Sequence, residues 1–109
     1  MAQSYADQCH GLQHNSKSGR WTQRFGACGE NIFIATHKVS WNFAIKSWFS
    51  EKDFFSYGCH GNNLTEVGHY TQLVWNSSHK VGCGFAKCVG SKHSNWSKYY
   101  AYVCNYCPQ

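Results

Sequence analysis

The sequence predicts an α/β domain stapled by disulfides, and three observations carry that expectation. Short β-rich runs end in turn residues, one segment carries an apolar stripe at helical spacing, and seven cysteines occur in 109 residues. A chain of this length holds one domain and buries only a modest core unaided, so covalent staples fit its size.

Taken in order, Ala2, Tyr5, Ala6 and Cys9 fall at three- and four-residue steps and read as one face of a helix end. The stretch from His14 to Gly26, rich in Ser, Gly, Arg and Gln, reads as a surface loop. Ile32, Phe33 and Ile34 in a row place a strand, buried on both faces, over Glu30 to Thr36. Ser40 is a plausible N-cap for a helix from Trp41 to about Lys52, with Trp41, Ala44, Ile45, Trp48 and Phe49 as its apolar stripe. Glu51 extends that stripe, which places a carboxylate where acids are uncommon unless paired or liganded. Phe54 to Glu66 reads as a loop, and Gly68 to Trp75 is too short for periodicity to separate helix from strand. Two β-rich segments, Val81 to Cys88 and Tyr99 to Tyr106, flank a Gly/Ser/Asn/His loop of hairpin type, with Tyr100, Tyr102, Cys104 and Tyr106 on one face.

Charged residues are 14% and aromatics 17% of the chain, which excludes a disordered acidic or basic tail. No apolar run reaches the roughly 18 to 20 residues of a membrane-spanning helix, and no apolar signal core follows Met1. The net charge of +5 is uneven: six basic and five acidic residues lie up to Glu66, whereas Lys80, Lys87, Lys92 and Lys98 meet no acid beyond it. These lysines are spaced along the chain and read as solvated strand edges and loops, so nucleic acid is not an expected partner.

Zinc knuckles would need paired C-x-x-C groups, but only Cys104 and Cys107 have that spacing, which leaves disulfides in an oxidising compartment as the reading. Sequons at Asn63, Asn76 and Asn95 agree with a secreted glycoprotein.

Gly68-His-Tyr-Thr-Gln-Leu-Val-Trp-Asn-Ser-Ser78, Gly29-Glu-Asn-Ile32 and Tyr102-Val-Cys-Asn-Tyr-Cys-Pro108 carry a resemblance to a known family. The chain resembles the CAP superfamily of cysteine-rich secretory proteins, antigen 5 and pathogenesis-related 1 proteins. With Cys9, His14 and Val81-Gly-Cys-Gly84 in order, the likeness covers nearly the whole chain. Ala101 departs from the family's preference for a larger apolar residue. The H-N-x-x-R helix that opens the family's domain is absent, as are the closing G-N and the C-terminal cysteine-rich module. The expectation is a single partial CAP domain over residues 1–109, shortened at both ends, with its missing first helix leaving apolar surface uncovered.

The resemblance implies a three-layer α/β/α sandwich and the pairs Cys9 with Cys88, Cys28 with Cys107 and Cys83 with Cys104; sequence arithmetic alone leaves all pairings open. Cys59 is then odd, and is expected to bridge a cysteine in a missing segment, with dimerisation or a reactive thiol as the alternatives. The resemblance also implies a cavity lined by His14, Glu30, Glu51 and His69. Two imidazoles with nearby carboxylates can hold a divalent cation such as zinc weakly, leaving positions open to water; a buried polar network that only tightens the fold is the other reading. Each residue has its own reason to face inward: His14 follows a bridged helix end, Glu30 starts a buried strand, Glu51 continues the stripe, and His69 lies beside a glycine that permits close approach. The remaining histidines read as surface groups. Phe54, Phe55 and Tyr57 match by position the aromatic loop of the family's sterol-binding members.

No G-x-S-x-G elbow or H-E-x-x-H helix occurs, which sets a metal-dependent, protease-like hydrolase behind a non-enzymatic domain. The expected function is a secreted CAP domain that binds through its His/Glu cavity or a surface loop, in defence, venom, reproduction or lipid carriage. Sterol or lipid binding and a structural interaction module with a protein partner are the alternatives.

Overall fold

In the computed structural model, which describes residues 1–55, 64–89 and 98–108, the three expected strands share one sheet. β1 (Trp21–Thr22) and β2 (Gly26–Ala27) form a small hairpin inside the segment read as a loop. Its turn depends on Gly26, whose φ of 71° suits glycine, and on the Thr22 hydroxyl, which accepts from Phe25 N–H and donates to the Gly26 carbonyl. The main sheet contains β3 (Gly29–Ala35), β4 (Lys80–Val89) and β5 (Lys98–Cys107) in the order β3-β5-β4, with both pairings antiparallel.

The central position of β5 explains its apolar run: it is covered on both faces, so alternate residues serve two cores. Tyr99, Ala101 and Val103 meet Ile32, Ala86, Cys88 and the helix α1 (Ala2–Asp7) through Ala2, Tyr5 and Ala6. Cys104 and Tyr106 meet Trp48 of α2 (Trp41–Phe49) and Leu73 of α3 (Leu64–Leu73) on the opposite face. Helices thus flank the sheet in three layers. Ala101 lies directly opposite Ala86 in the register, and this small pair packs against α1.

The Ser40 hydroxyl accepts from Phe43 N–H at 3.1 Å and caps α2 as expected. The stripe is narrower than the sequence suggests: Ala44 and Trp48 are buried, whereas Ile45 and Phe49 are each 40% exposed. The α-helix also stops at Phe49, and a 3₁₀ turn over Ser50–Phe54 carries Glu51, so Glu51 does not continue the stripe. Helix α3 takes in Leu64, Thr65 and Glu66, where a loop is expected, and Gly68 to Leu73 is helix rather than strand. On the α2/α3 side Ile45, Leu73, Val81, Cys83 and Tyr106 line an apolar groove, and Val81 is 63% exposed.

Three disulfides join Cys9 to Cys88, Cys28 to Cys107 and Cys83 to Cys104, the pairing implied by the resemblance. Two of them close loops with a sequence separation of 79 residues and fasten opposite ends of β3–β5 and α1–β4. Cys83 and Cys104 face each other in the register, with Cα atoms 4.1 Å apart. Cys59 lies outside the described residues, as do Tyr57, Asn63 and Asn95. No helix among the described residues is long and apolar enough to cross a membrane.

Candidate functional site

The first half of the site is built on the start of β3. Glu30 follows Gly29 at the strand's first residues, opposite Asn105, and its side chain has no exposed surface. One oxygen, Oε1, accepts from the His14 ring at Nδ1 (2.8 Å) and from Asn15 N–H (3.0 Å), while Oε2 accepts from the Asn105 amide at 3.3 Å. Burial pushes the Glu30 carboxyl up, but the hydrogen bonds from His14, Asn15 and Asn105 outweigh it and hold the group below its ordinary value. Arg20 secures the loop that carries His14 by donating from Nε to the Asn15 carbonyl at 3.0 Å and from Nη1 to the Cys28 carbonyl at 2.9 Å.

The second half is its counterpart on α3. Glu51 Oε2 accepts from His69 Nδ1 at 2.8 Å, and Oε1 accepts from Tyr70 N–H at 2.9 Å. The His69 ring lies parallel to the buried Trp48 indole, with centroids 6.2 Å apart. Asn31, itself buried, joins the halves: its amide donates to the His69 carbonyl at 3.2 Å and to the Tyr106 hydroxyl at 3.3 Å. Burial raises the Tyr106 phenol, partly opposed by the Asn31 bond.

His14, Glu30 and His69 line one open cleft of about 760 Å³, together with Arg20, Asn31, Gln72 and Trp75. Glu51 is not among the lining residues and acts on His69 from behind. Both imidazoles are partly exposed, 54% for His14 and 37% for His69. Each uses Nδ1 on a carboxylate, and no hydrogen bond among the described residues engages either Nε2. A carboxylate that accepts from Nδ1–H fixes the tautomer with the Nε2 lone pair outward, the form that ligates a metal. Among the described residues no three His, Cys, Asp or Glu side chains converge as a metal-holding group, so a bound ion would rest on two imidazoles and water.

The expected reason for Gly68 is corrected: a Cβ there would meet nothing within 4 Å, so it does not serve a close approach. The close approach is at Gly29, where a Cβ would fall 1.9 Å from the Gln72 carboxamide. Arg20, Gln72 and Trp75 were not read as site residues, nor was Asn105, although the last three lie within the quoted motifs. Of the aromatic loop, Phe54 is 67% exposed while Phe55 packs on Tyr70 with centroids 5.2 Å apart. Asn76 is exposed. His37 and His79 are exposed as read, but His10 is half-buried and stacks on Tyr5.

The Cysteine-rich secretory protein family model matches residues 1–106. The chain is 42% identical to allurin of Xenopus tropicalis, with 98% of this chain and 50% of allurin covered. It is 44% identical to human cysteine-rich secretory protein 3 and 41% identical to the cysteine-rich venom protein helothermine of Heloderma horridum horridum, covering 98% of this chain and 41% and 42% of those proteins. It therefore spans about half the length, or less, of the relatives it matches. Among solved structures, Schistosoma mansoni venom allergen-like protein 4 superposes with a TM-score of 0.70 at 26% identity, over 98% of this chain and 61% of that one.

Proposed function

The chain belongs to the cysteine-rich secretory protein family, within the CAP superfamily, and from that premise we propose that it is a secreted, non-enzymatic binding domain whose His14/His69 cleft takes up a divalent cation such as zinc. The observation that carries this reading is the paired geometry: two imidazoles line one cleft, each held at Nδ1 by a carboxylate at 2.8 Å. That arrangement is the usual outer support of a metal-ligating histidine. Zinc at this place would supply a Lewis-acidic centre with positions open to water or to a donor group of a partner. The chain's own residues hold the rings: Glu30 and Glu51 fix the tautomers, Asn15 and Tyr70 N–H groups complete the two carboxylates, and Arg20 keeps the His14 loop on β3. Secretion accords with the three disulfides, with the exposed sequon residue Asn76 and with relatives named for secretion and venom.

Calorimetric titration of zinc into the chain and into a His14→Ala, His69→Ala double variant tests the reading. The expected result is saturable binding that the double variant loses. Equal binding by both proteins would reduce the four residues to a structural polar network.

A further inference from the structure

We propose that the face of the sheet formed by Phe85, Tyr100, Lys38, Lys87 and Lys98 binds an anionic polysaccharide. The site is separate from the histidine cleft and does not rest on the metal reading.

Phe85 of β4 and Tyr100 of β5 are half-exposed, and their rings lie parallel, 17° apart in plane with centroids separated by 5.9 Å. They extend a chain of ring contacts that runs from Phe85 to the buried Tyr102 at 5.0 Å and on to Phe33 at 5.8 Å, so the platform is fixed to the core. Three lysines share this face. Lys38 Nζ lies 5.7 Å from the Phe85 centroid, and Lys98 Nζ lies 5.8 Å from the Tyr100 centroid. Lys87 is exposed and sits directly opposite Tyr100 in the register, which places it on the same face. Lys38 is not on a loose loop, because the neighbouring Val39 N–H donates to the Tyr102 hydroxyl at 2.9 Å and its carbonyl accepts from that hydroxyl at 2.6 Å.

Among the described residues Lys38, Lys87 and Lys98 take part in no ion pair. Residues 31–50 and 67–109, which supply Lys38 and both strands of this face, contain no Asp or Glu; at the outer edge of β4, Asp7 of α1 accepts from the Gln3 amide that holds Phe85. A cationic patch without acids favours an anionic ligand, and its pull on that ligand falls as salt screens it. The rings decide the class. They are parallel to each other, only half-exposed and tied through Phe85 to buried Tyr102, whereas an interfacial anchor projects a free apolar tip into the bilayer. A peptide added as a strand is also disfavoured, since Gln3 occupies the outward backbone groups of Phe85. A sugar ring laid on Phe85 and Tyr100 by its C–H face, with sulfate or carboxylate groups on the lysines, uses both features together.

Titrating a size-defined heparin oligosaccharide into the 109-residue chain at about 0.05 and 0.5 M salt tests the proposal. Binding is expected at low salt and should weaken at high salt. A Lys38→Ser, Lys87→Ser, Lys98→Ser variant should lose about tenfold in affinity, as three exposed charge contacts would give. Lys87→Glu alone, at an exposed position, should show a smaller loss in the same direction if the triple variant folds poorly. Unchanged affinity in these variants would overturn the proposal, as would equal binding of polyglutamate of matched charge or a preference for vesicles of anionic lipid.

Discussion

The Gln3 side chain grips the backbone of Phe85 on both sides: Nε2 donates to the Phe85 carbonyl at 2.7 Å and Oε1 accepts from its N–H at 3.0 Å. Phe85 belongs to β4, an outer strand of the sheet, so these two groups point away from β5 and would otherwise face the open edge. A side-chain amide thus stands in for a neighbouring strand and fastens α1 to β4 at once.

Replacing Gln3 by Ala should lower stability by about 1 kcal/mol, because Phe85 turns to water for both groups and α1 loses its tether. Urea unfolding of the two proteins measures the difference. A midpoint unchanged by Gln3→Ala would show that α1 is held by its apolar face and the Cys9–Cys88 bridge alone.

Three glycines of the described chain should rank clearly when changed to Ala. At Gly84 a Cβ would meet the Gln3 backbone at 2.3 Å (Cα) and 2.5 Å (N), and backbone cannot step aside. Lifting α1 from the sheet should cost about 3 kcal/mol. At Gly29 the obstacle is the end of the Gln72 side chain, which can rotate away at the loss of its 3.2 Å bond to the Ser78 hydroxyl, for a cost of about 1 kcal/mol. Gly68 is helical with open space around it, so Ala there should be neutral or should stabilise by up to about 1 kcal/mol. Thermal melts of the three variants give the order, and a Gly68→Ala variant less stable than Gly84→Ala would contradict it.

Strand positions were legible because β3 holds an unbroken apolar run and β4 and β5 are β-rich on either side of a hairpin-type loop, and the three strands fall within one residue of the expected bounds at each end. The disulfide pairing came from likeness, with support from the residues only for Cys83 and Cys104, which lie in the two neighbouring β-rich segments and face each other in the register. Glu30 and Glu51 stood out because an acid beside apolar residues needs a partner, but the sequence could not show which one, since His14 and His69 are 16 and 18 residues away from them. Arg20 was illegible for a different reason: its guanidinium serves backbone carbonyls, and such acceptors leave no trace in composition or spacing. For Glu51 the stripe argument fails and only the resemblance pointed to it, since a 3₁₀ turn and not the helix stripe aims it at His69.

Glu30 should make stability fall in acid. Its carboxyl is held below the ordinary value of 4.5, so the folded state binds its proton less readily than the unfolded chain. The stabilisation is fully present above the unfolded value and is lost as pH falls through the lowered one. Glu30→Gln removes this dependence and costs about 2 kcal/mol at neutral pH, the range for a hydrogen-bonded buried charge. Melting temperatures measured from pH 7 to about 3 in chelator should therefore converge for the two proteins toward the acid end. Parallel curves would show that Glu30 is not the group whose protonation matters.

Trp48 should couple the core to the cleft. It is buried, donates from Nε1 to the Ile32 carbonyl at 3.2 Å, and lies parallel to His69 on its other side. Trp48→Phe keeps an aromatic ring but leaves that buried carbonyl without its donor, at a cost of about 2 kcal/mol. Glu51→Gln, by contrast, leaves the core intact and disturbs only the group that orients His69 at Nδ1. If the rings form a metal site, both variants should bind zinc more weakly, by about tenfold or more for Glu51→Gln, while only Trp48→Phe melts markedly earlier. Paired calorimetry and melting curves separate the effects. Loss of stability in Trp48→Phe with zinc affinity unchanged would mean that Glu51 alone sets the ring and that the indole serves only the fold.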